Sequence, residues 1–104
     1  MGYRSEVAIA VSTEDYNYAP EEVKNALKEC FDEPAENTDT MVIFHEDWIK
    51  WYDDDESVQT IEKWLDTLNP YNYGMIRLGE DDNDVEYLGD PWSNGLGYTR
   101  KITF

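Results

Sequence analysis

Acidic side chains are concentrated in two dense runs, whose carboxylates could bind a cation. The first run consists of Asp53, Asp54, Asp55 and Glu56, and the second contains Glu80, Asp81, Asp82, Asp84 and Glu86. Carboxylate oxygens are hard ligands for metal ions, and they also pair with the Lys and Arg side chains of protein partners. Two functions are therefore compatible with these runs, metal binding and recognition of a basic protein surface.

The second run matches a calcium-binding loop only in part. With Asp82 at position 1, Asp84 and Glu86 occupy positions 3 and 5. However, Tyr87 stands where the loop requires glycine, and Ser93 stands where it requires a bidentate Glu. We therefore expect no metal site and no cofactor.

Residues suited to catalysis are few. His45 is the single histidine and lies in an apolar run, which is typical of a half-buried strand residue. Cys30 falls on an apolar helical stripe, where a small core side chain is expected. Motifs for a nucleophile, a phosphate loop, a dinucleotide site or a zinc site are absent. We expect no catalytic residues and no enzymatic activity.

The net charge indicates the chemistry of a partner. Asp and Glu number 24 against eight Lys and Arg, which gives a formal net charge of −16 at pH 7. Such a field repels nucleic acid and anionic membranes and attracts basic surfaces. It also exceeds the charge of about 2 to 8 that solubility requires of a small domain. We expect a basic protein partner, with no direct nucleic-acid or membrane binding.

Composition indicates a folded chain despite this charge. Hydrophobic residues make up 40% of the sequence, with four Trp, eight Tyr and three Phe. Disordered acidic segments have few aromatic residues, and 104 residues suit a single domain spanning residues 1–104. The lone Cys30 cannot form an internal disulfide, and neither a signal peptide nor a membrane-spanning stretch is recognisable. These features predict an intracellular protein.

Hydrophobic periodicity in the first half predicts a strand followed by a helix. Residues 3–11 alternate with period two, and the small side chains of Ala8 and Ala10 would let another element pack closely on the second face. Pro20 is then expected at the first position of a helix that Pro34 ends. The inward stripe of this helix is Val23, Ala26, Leu27, Cys30 and Phe31.

The second half predicts further strands around one more helix. Residues 40–52 are interpreted as a tight hairpin or one bent strand, with the hairpin preferred because Glu46 and Asp47 interrupt the apolar run. Asp55 or Ser57 can cap a helix that Asn69 and Pro70 stop. Its inward residues are Val58, Ile61, Leu65 and Leu68, with Trp64 at the edge of that face. Residues 73–79 and 85–88 read as strands, residues 89–97 as a loop and residues 98–104 as a last strand.

Together these elements predict an α+β domain. Two helices would pack on one face of a mainly antiparallel sheet, in a ferredoxin-like arrangement with extra C-terminal strands. The other face of the sheet would be partly exposed. Among the aromatic residues, Trp92, Tyr16 and Tyr18 are expected at the surface, because they lie in polar or Gly-rich segments.

Three segments resemble a known group of proteins. They read GYRSEVAI at residues 2–9, IKWYD at 49–53 with VQ at 58–59, and IRLGEDDND at 76–84. In these segments the chain is similar to small acidic proteins encoded by tailed phages and prophages, a family without an assigned activity. The resemblance implies a phage accessory protein that acts in the bacterial cytoplasm, and it carries over no catalytic residue.

Two hypotheses of different class follow. The first is an inhibitor that mimics nucleic acid and occupies the binding cleft of a host enzyme, such as a CRISPR effector or a restriction nuclease, with both acidic runs and Trp92 as its contact residues. The second is an acidic adaptor that binds a basic phage or host protein without blocking nucleic acid. A third reading, that the acidity serves solubility alone, accounts poorly for a charge of −16.

Overall fold

A computed structural model of the protein describes residues 2–81, 83–98 and 102–104. Asp82, which the sequence analysis includes in the second acidic run, lies outside the described residues, as do residues 99–101 of the predicted last strand. The elements in chain order are β1 (Ser5–Ser12), α1 (Thr13–Asn17), α2 (Glu21–Phe31), β2 (Glu36–Asn37), β3 (Met41–Ile49), α3 (Glu56–Leu65), β4 (Tyr73–Gly79), β5 (Val85–Gly89), a 3-10 helix (Trp92–Asn94), β6 (Gly97–Tyr98) and β7 (Ile102–Thr103).

The sheet contains five strands in the order β2-β3-β1-β4-β5, and every neighbouring pair is antiparallel. Read from β4 to β2, this is the strand order of a ferredoxin-like domain, with α2 and α3 as the two crossover helices. β5 extends the sheet beyond β4. The predicted α+β class, with two helices on a mainly antiparallel sheet, is confirmed.

The larger core lies between the sheet and helices α2 and α3. Val7, Ile9 and Val11 of β1 point to this side because alternate residues of a strand share a face. The predicted stripes supply the helical half of the core, although Cys30 and Leu68 are only partly buried. Trp64, expected at the edge, is 7% exposed and belongs to the core.

The second face of the sheet was predicted to be partly exposed; it is covered over the central strands, and Tyr87 of β5 on the same face is 56% exposed. Ala8 and Ala10 of β1 are 0% exposed beneath Leu96 and Ile102, which belong to the C-terminal segment. The methyl side chains of the alanines allow this close approach, as the sequence indicated. The predicted final strand is instead a short antiparallel pair, β6 with β7, that packs over the sheet.

The preferred hairpin over residues 40–52 is also wrong, because β3 is a single bent strand. Val7 pairs with Glu46 but Ser5 pairs with Ile49, so β3 carries an extra residue in a β-bulge. Within the bulge, Trp48 has φ of 60°, a conformation that side chains larger than glycine rarely adopt. Glu46 and Asp47, the polar residues that suggested a turn, therefore lie at this bulge within one continuous strand.

Three smaller differences concern the loops and one tyrosine. Residues 13–17, expected in a loop, form helix α1, which Ser12 caps by accepting a hydrogen bond from Asp15 N–H. The loop at residues 89–97 contains the 3-10 helix. Tyr16, expected at the surface, is half-buried against Phe44, with ring centroids 5.7 Å apart. Among the described residues, no helix has the length and apolar character needed to cross a bilayer.

Candidate functional site: the acidic end of the sheet

The two acidic runs lie at the same end of the sheet. Ser5 at the start of β1 pairs with Ile49 at the end of β3 and with Gly79 at the end of β4. Ile49 and Gly79 are therefore two strand spacings apart, about 10 Å. The first run follows Ile49 in the β3–α3 loop, and the second follows Gly79 in the β4–β5 turn. We call this region, comprising residues 50–56 and 80–86, the acidic end.

Tyr3 and Arg4 contact the second run through hydrogen bonds. The Tyr3 hydroxyl donates a hydrogen bond to Asp84 Oδ2 at 2.6 Å and accepts one from Asp81 N–H at 3.1 Å. The next residue, Arg4, donates its backbone N–H to Glu80 Oε2 at 2.8 Å and lines a small cavity together with Asp55. Tyr3 and Arg4 thus fix the β4–β5 turn, and Arg4 also lines a cavity beside the β3–α3 loop.

Arg77 of β4 stabilises the second run through two ion pairs. Its guanidinium donates to Asp84 Oδ1 at 2.8 Å and to Glu86 Oε1 at 3.1 Å, and its side chain is only 15% exposed. The Arg77 hydrogen bonds, followed by that from Tyr3, lower the pKa of Asp84. Asp84 consequently stays ionised, and the Arg77 contacts fix the positions of both carboxylates, which makes them structural members of this region.

Asp55 has a local structural role at the start of α3. Its carboxylate accepts hydrogen bonds from the backbone N–H groups of Ser57 at 2.9 Å and Val58 at 3.4 Å. These groups have no partner within the first helical turn, so an acceptor at the N-cap satisfies them. Of the two residues predicted as alternative caps, Asp55 and Ser57, it is Asp55 that caps α3.

Substitutions of Asp55 should distinguish the contribution of its helix cap to stability from the contribution of its charge. We expect Asp55→Ala to lower the free energy of unfolding by about 1 kcal/mol, whereas Asp55→Asn changes it little, because asparagine caps about as well as aspartate. Urea denaturation of the two variants would measure the difference. An Asp55→Ala variant as stable as the Asn variant would contradict the capping role.

Glu62 of α3 adds a carboxylate that the sequence analysis did not single out. Burial, followed by repulsion from Glu86 and Asp53, raises the pKa of Glu62. These neighbours come from both acidic runs, so both runs lie within electrostatic reach of Glu62. Trp51 lies close enough to lower this pKa weakly, although its buried indole N–H has no hydrogen bond of good geometry among the described residues.

The charge on Glu62 should destabilise the fold at neutral pH. A carboxyl group whose pKa is higher in the folded state stabilises the protein below its unfolded pKa and loses that contribution as the pH rises through its folded pKa. We expect Glu62→Gln to raise stability at pH 7 by about 0.5 kcal/mol, a size typical of partly exposed charges. The gain should vanish at pH 4.

Thermal unfolding at pH 4 and pH 7 would test this expectation. Glu33→Gln is a suitable control, because it removes an equal charge from an exposed side chain outside the acidic end. A similar gain in the control would assign the effect to net charge, and an unchanged gain at pH 4 would contradict the role of Glu62 ionisation.

A groove between α2 and α3 extends the acidic end. It has a volume of about 550 Å³, and its walls carry four carboxylates, those of Glu22, Glu29, Asp55 and Glu56. Glu22 and Glu29 were not selected from the sequence, but their spacing of seven residues places them on one face of a helix. The groove is therefore a concave acidic surface of a size that admits basic side chains.

The nine carboxylates of the two predicted runs divide by environment. Asp55, Glu80, Asp84 and Glu86 accept hydrogen bonds from other parts of the protein. Four others are exposed and form no hydrogen bond or ion pair through their carboxylates with another described residue: Asp53, Asp54, Glu56 and Asp81. Asp82 lies outside the described residues. The acidic end thus combines four carboxylates fixed by hydrogen bonds with four exposed carboxylates that can pair with a partner.

Trp48 is an exposed aromatic residue near the acidic end, and it is not among the three aromatic residues expected at the surface. It is 62% exposed, because the β3 bulge turns it outward next to Ile49. Trp92 is 53% exposed, as expected, but it lies beyond the other end of β5 and does not join the two runs. Tyr18 is also exposed, as predicted.

The potential catalytic residues occupy structural positions. His45 is half-buried in β3, with Nε2 at 2.7 Å from Glu6 Oε2. Burial, followed by repulsion from Asp55 and Glu29, raises the pKa of the Cys30 thiol to about 11. The thiol is therefore protonated at neutral pH and a poor nucleophile. Among the residues that the structure describes, no three His, Cys, Asp or Glu are grouped as a metal site would require.

The geometry thus defines an α+β domain of ferredoxin-like strand order with a strongly acidic end. Comparison with known proteins gave no match to a family model, a curated protein or a solved structure.

Proposed function

We propose that the protein is an acidic inhibitor that mimics nucleic acid and blocks a nucleic-acid-binding host protein by stoichiometric binding. The observation that supports this proposal best is the convergence of both acidic runs at one end of the sheet, with Ser5 of β1 between the ends of β3 and β4. Carboxylates distributed evenly over the surface would offer no such array.

The chemistry of the proposed target follows from this array. A nucleic-acid cleft contacts closely spaced phosphates through Lys and Arg side chains. Exposed carboxylates on fixed backbone can pair with those same side chains, and a charge of −16 would speed the encounter. The groove lined by Glu22, Glu29, Asp55 and Glu56 offers a second row of acceptors beside the first.

A phage origin and a site of action in the bacterial cytoplasm are parts of the same proposal. The three segments that resemble small acidic proteins of tailed phages support them. Host defence enzymes that bind nucleic acid, such as CRISPR effectors and restriction nucleases, are the targets that best fit such an inhibitor.

A competition assay tests the proposal. A fluorescent duplex DNA or RNA would be bound at 50 mM salt to each of a panel comprising a Cas effector, a restriction nuclease and a bacterial RNA polymerase. We expect micromolar protein to displace the probe from at least one of them, with an effect that weakens markedly at higher salt because screening shortens the reach of the field. Displacement from none of the panel would overturn the proposal.

The alternative, an adaptor that leaves nucleic acid bound, is favoured by a different observation. Tyr87 and Trp92 are exposed and pack edge to face, with ring centroids 5.0 Å apart, away from the acidic end. Tyr87 directly follows Glu86 of the acidic end, but its side chain lies on the opposite face of β5. Exposed aromatic residues are frequent at the energetic centres of protein interfaces. An adaptor held there would keep its partner after charge removal from the acidic end.

A further inference from the structure

The outer edge of β5 carries backbone groups without a strand partner. β5 is the last strand of the sheet, and among the described residues no strand pairs with its outer side. The opposite edge strand, β2, has only 2 residues. Unpaired strand edges readily accept another strand, so β5 is the longer of the two surfaces open to such pairing.

The register identifies which groups face outward. Gly79 N–H bonds to Asp84 O at 2.8 Å, and Asp90 N–H bonds to Tyr73 O at 2.9 Å. Inward bonding alternates along an antiparallel strand, which leaves the N–H and C=O of Tyr87 pointing away from β4. Val85 adds an outward C=O, since its N–H bonds locally to Asn83 O at 3.2 Å.

Side chains on the two faces of β5 indicate what would pair there. On the helix-bearing face, Glu86 has a side chain that is 44% exposed. On the other face, Tyr87 is 56% exposed and packs against Trp92. An added strand would therefore set one row of its side chains beside a carboxylate and the other row beside aromatic rings.

Charge determines the kind of strand. β5 contains neither lysine nor proline, residues that commonly block edge pairing. A second copy of this chain is disfavoured, because each copy carries a charge of −16. A basic segment meets no such repulsion and is attracted by the adjoining acidic turn.

We propose that β5 pairs through its outer edge with an extended, basic segment of the target protein, which has basic side chains on one face and apolar side chains on the other. This inference rests on the proposed function for the identity of the partner, and it adds a main-chain contact to the carboxylate array. The array would attract the target, and the β5 edge would fix its orientation.

A peptide tests the edge without altering the protein. The probe is a nine-residue peptide of alternating lysine and valine, whose positive charge keeps it monomeric at low salt. Two control peptides carry N-methyl groups on either the odd or the even residues, which removes hydrogen-bond donors from one edge at a time. Amide hydrogen exchange at Tyr87 is the measurement.

We expect the unmodified peptide at saturation to slow exchange of the Tyr87 amide at least tenfold. One methylated peptide should keep this protection and the other should lose it, because only one edge of the peptide can face β5. Equal protection by all three peptides, or protection by none, would overturn the inference, since charge attraction alone does not depend on the peptide backbone.

A variant separates this inference from the proposed function. Tyr87→Pro removes an outward N–H that β4 does not use, and proline is tolerated at such edge positions. We expect it to compete for the nucleic-acid-binding panel at least tenfold less well than the wild type, with an unchanged circular dichroism spectrum. Undiminished competition would refute the edge contact but leave the mimic intact. Peptide protection without any competition by the wild type would refute the mimic alone.

Discussion

Replacement of Arg77 by methionine should lower the free energy of unfolding at pH 7 by about 3 kcal/mol. The change leaves Asp84 and Glu86 without the guanidinium that joins them, next to the carboxylate of Glu62. Loss of one partner from a buried ion pair costs about 3 to 5 kcal/mol, and the partial exposure of these carboxylates places the expected value near the lower limit. In a domain of this size the melting temperature should fall by about 10 to 20 °C.

Lys63→Met provides the matched control. It removes the same unit of positive charge, but Lys63 is exposed on α3 and forms no ion pair with another described residue. Stability should change by less than about 0.5 kcal/mol. Thermal and urea unfolding of both variants would give the comparison, and equal losses would show that net charge, rather than the Arg77 contacts, sets the stability.

The triple variant Asp53→Asn, Asp54→Asn, Glu56→Gln should weaken competition with nucleic acid by about 10- to 100-fold at low salt. Each exposed charge at the rim of an interface contributes about 0.2 to 1 kcal/mol, and removal of such charges mainly slows association and reduces its salt dependence. The fold should be unaffected, because these three carboxylates form no hydrogen bonds with other described residues and the capping Asp55 is retained.

An equally charged control is available at other exposed positions. Glu14→Gln, Asp39→Asn, Asp66→Asn also removes three charges from the net −16, at residues outside the acidic end. We expect this control to compete within about threefold of the wild type, because screening at 50 mM salt limits the reach of exposed charges to roughly 14 Å. Equal losses in the two triple variants would indicate that overall charge alone attracts the target.

Much of the fold was predictable because its main elements have strong local signals. β1 alternates over eight residues, and α3 combines the Asp55 cap with a continuous apolar stripe. Hydrophobic periodicity determines such elements before tertiary contacts act. β4 and β5 were recognised because the acidic turn separates two apolar runs.

The bulge in β3 and the cover over the second face depend instead on long-range contacts. Sequence alone could not show that β1 pairs along most of β3, which keeps residues 41–49 in one strand despite Glu46 and Asp47. Nor could it show that Leu96 and Ile102 lie over Ala8 and Ala10. In both places tertiary packing overrides a local preference for a turn or an open face.

The candidate site was only partly predictable for the same reason. The acidic runs were evident as runs, but their convergence requires the strand order, which places Ser5 between Ile49 and Gly79. Trp48 is exposed because its backbone adopts a positive φ, which no sequence motif predicts. Glu62 is affected by Glu86, which is distant in sequence, whereas Arg77 binds Asp84 and Glu86 across the hairpin of β4 and β5.

Strand β1 is paired on both sides and covered on both faces, and residues 7–11 are 0% exposed. Its amides should be the slowest in the molecule to exchange, opening only with global unfolding. The segments that carry the two acidic runs follow β3 and β4, the two strands that are hydrogen-bonded to this least mobile strand. A target would spend little conformational entropy on ordering them, so its complexes should be long-lived as well as quickly formed.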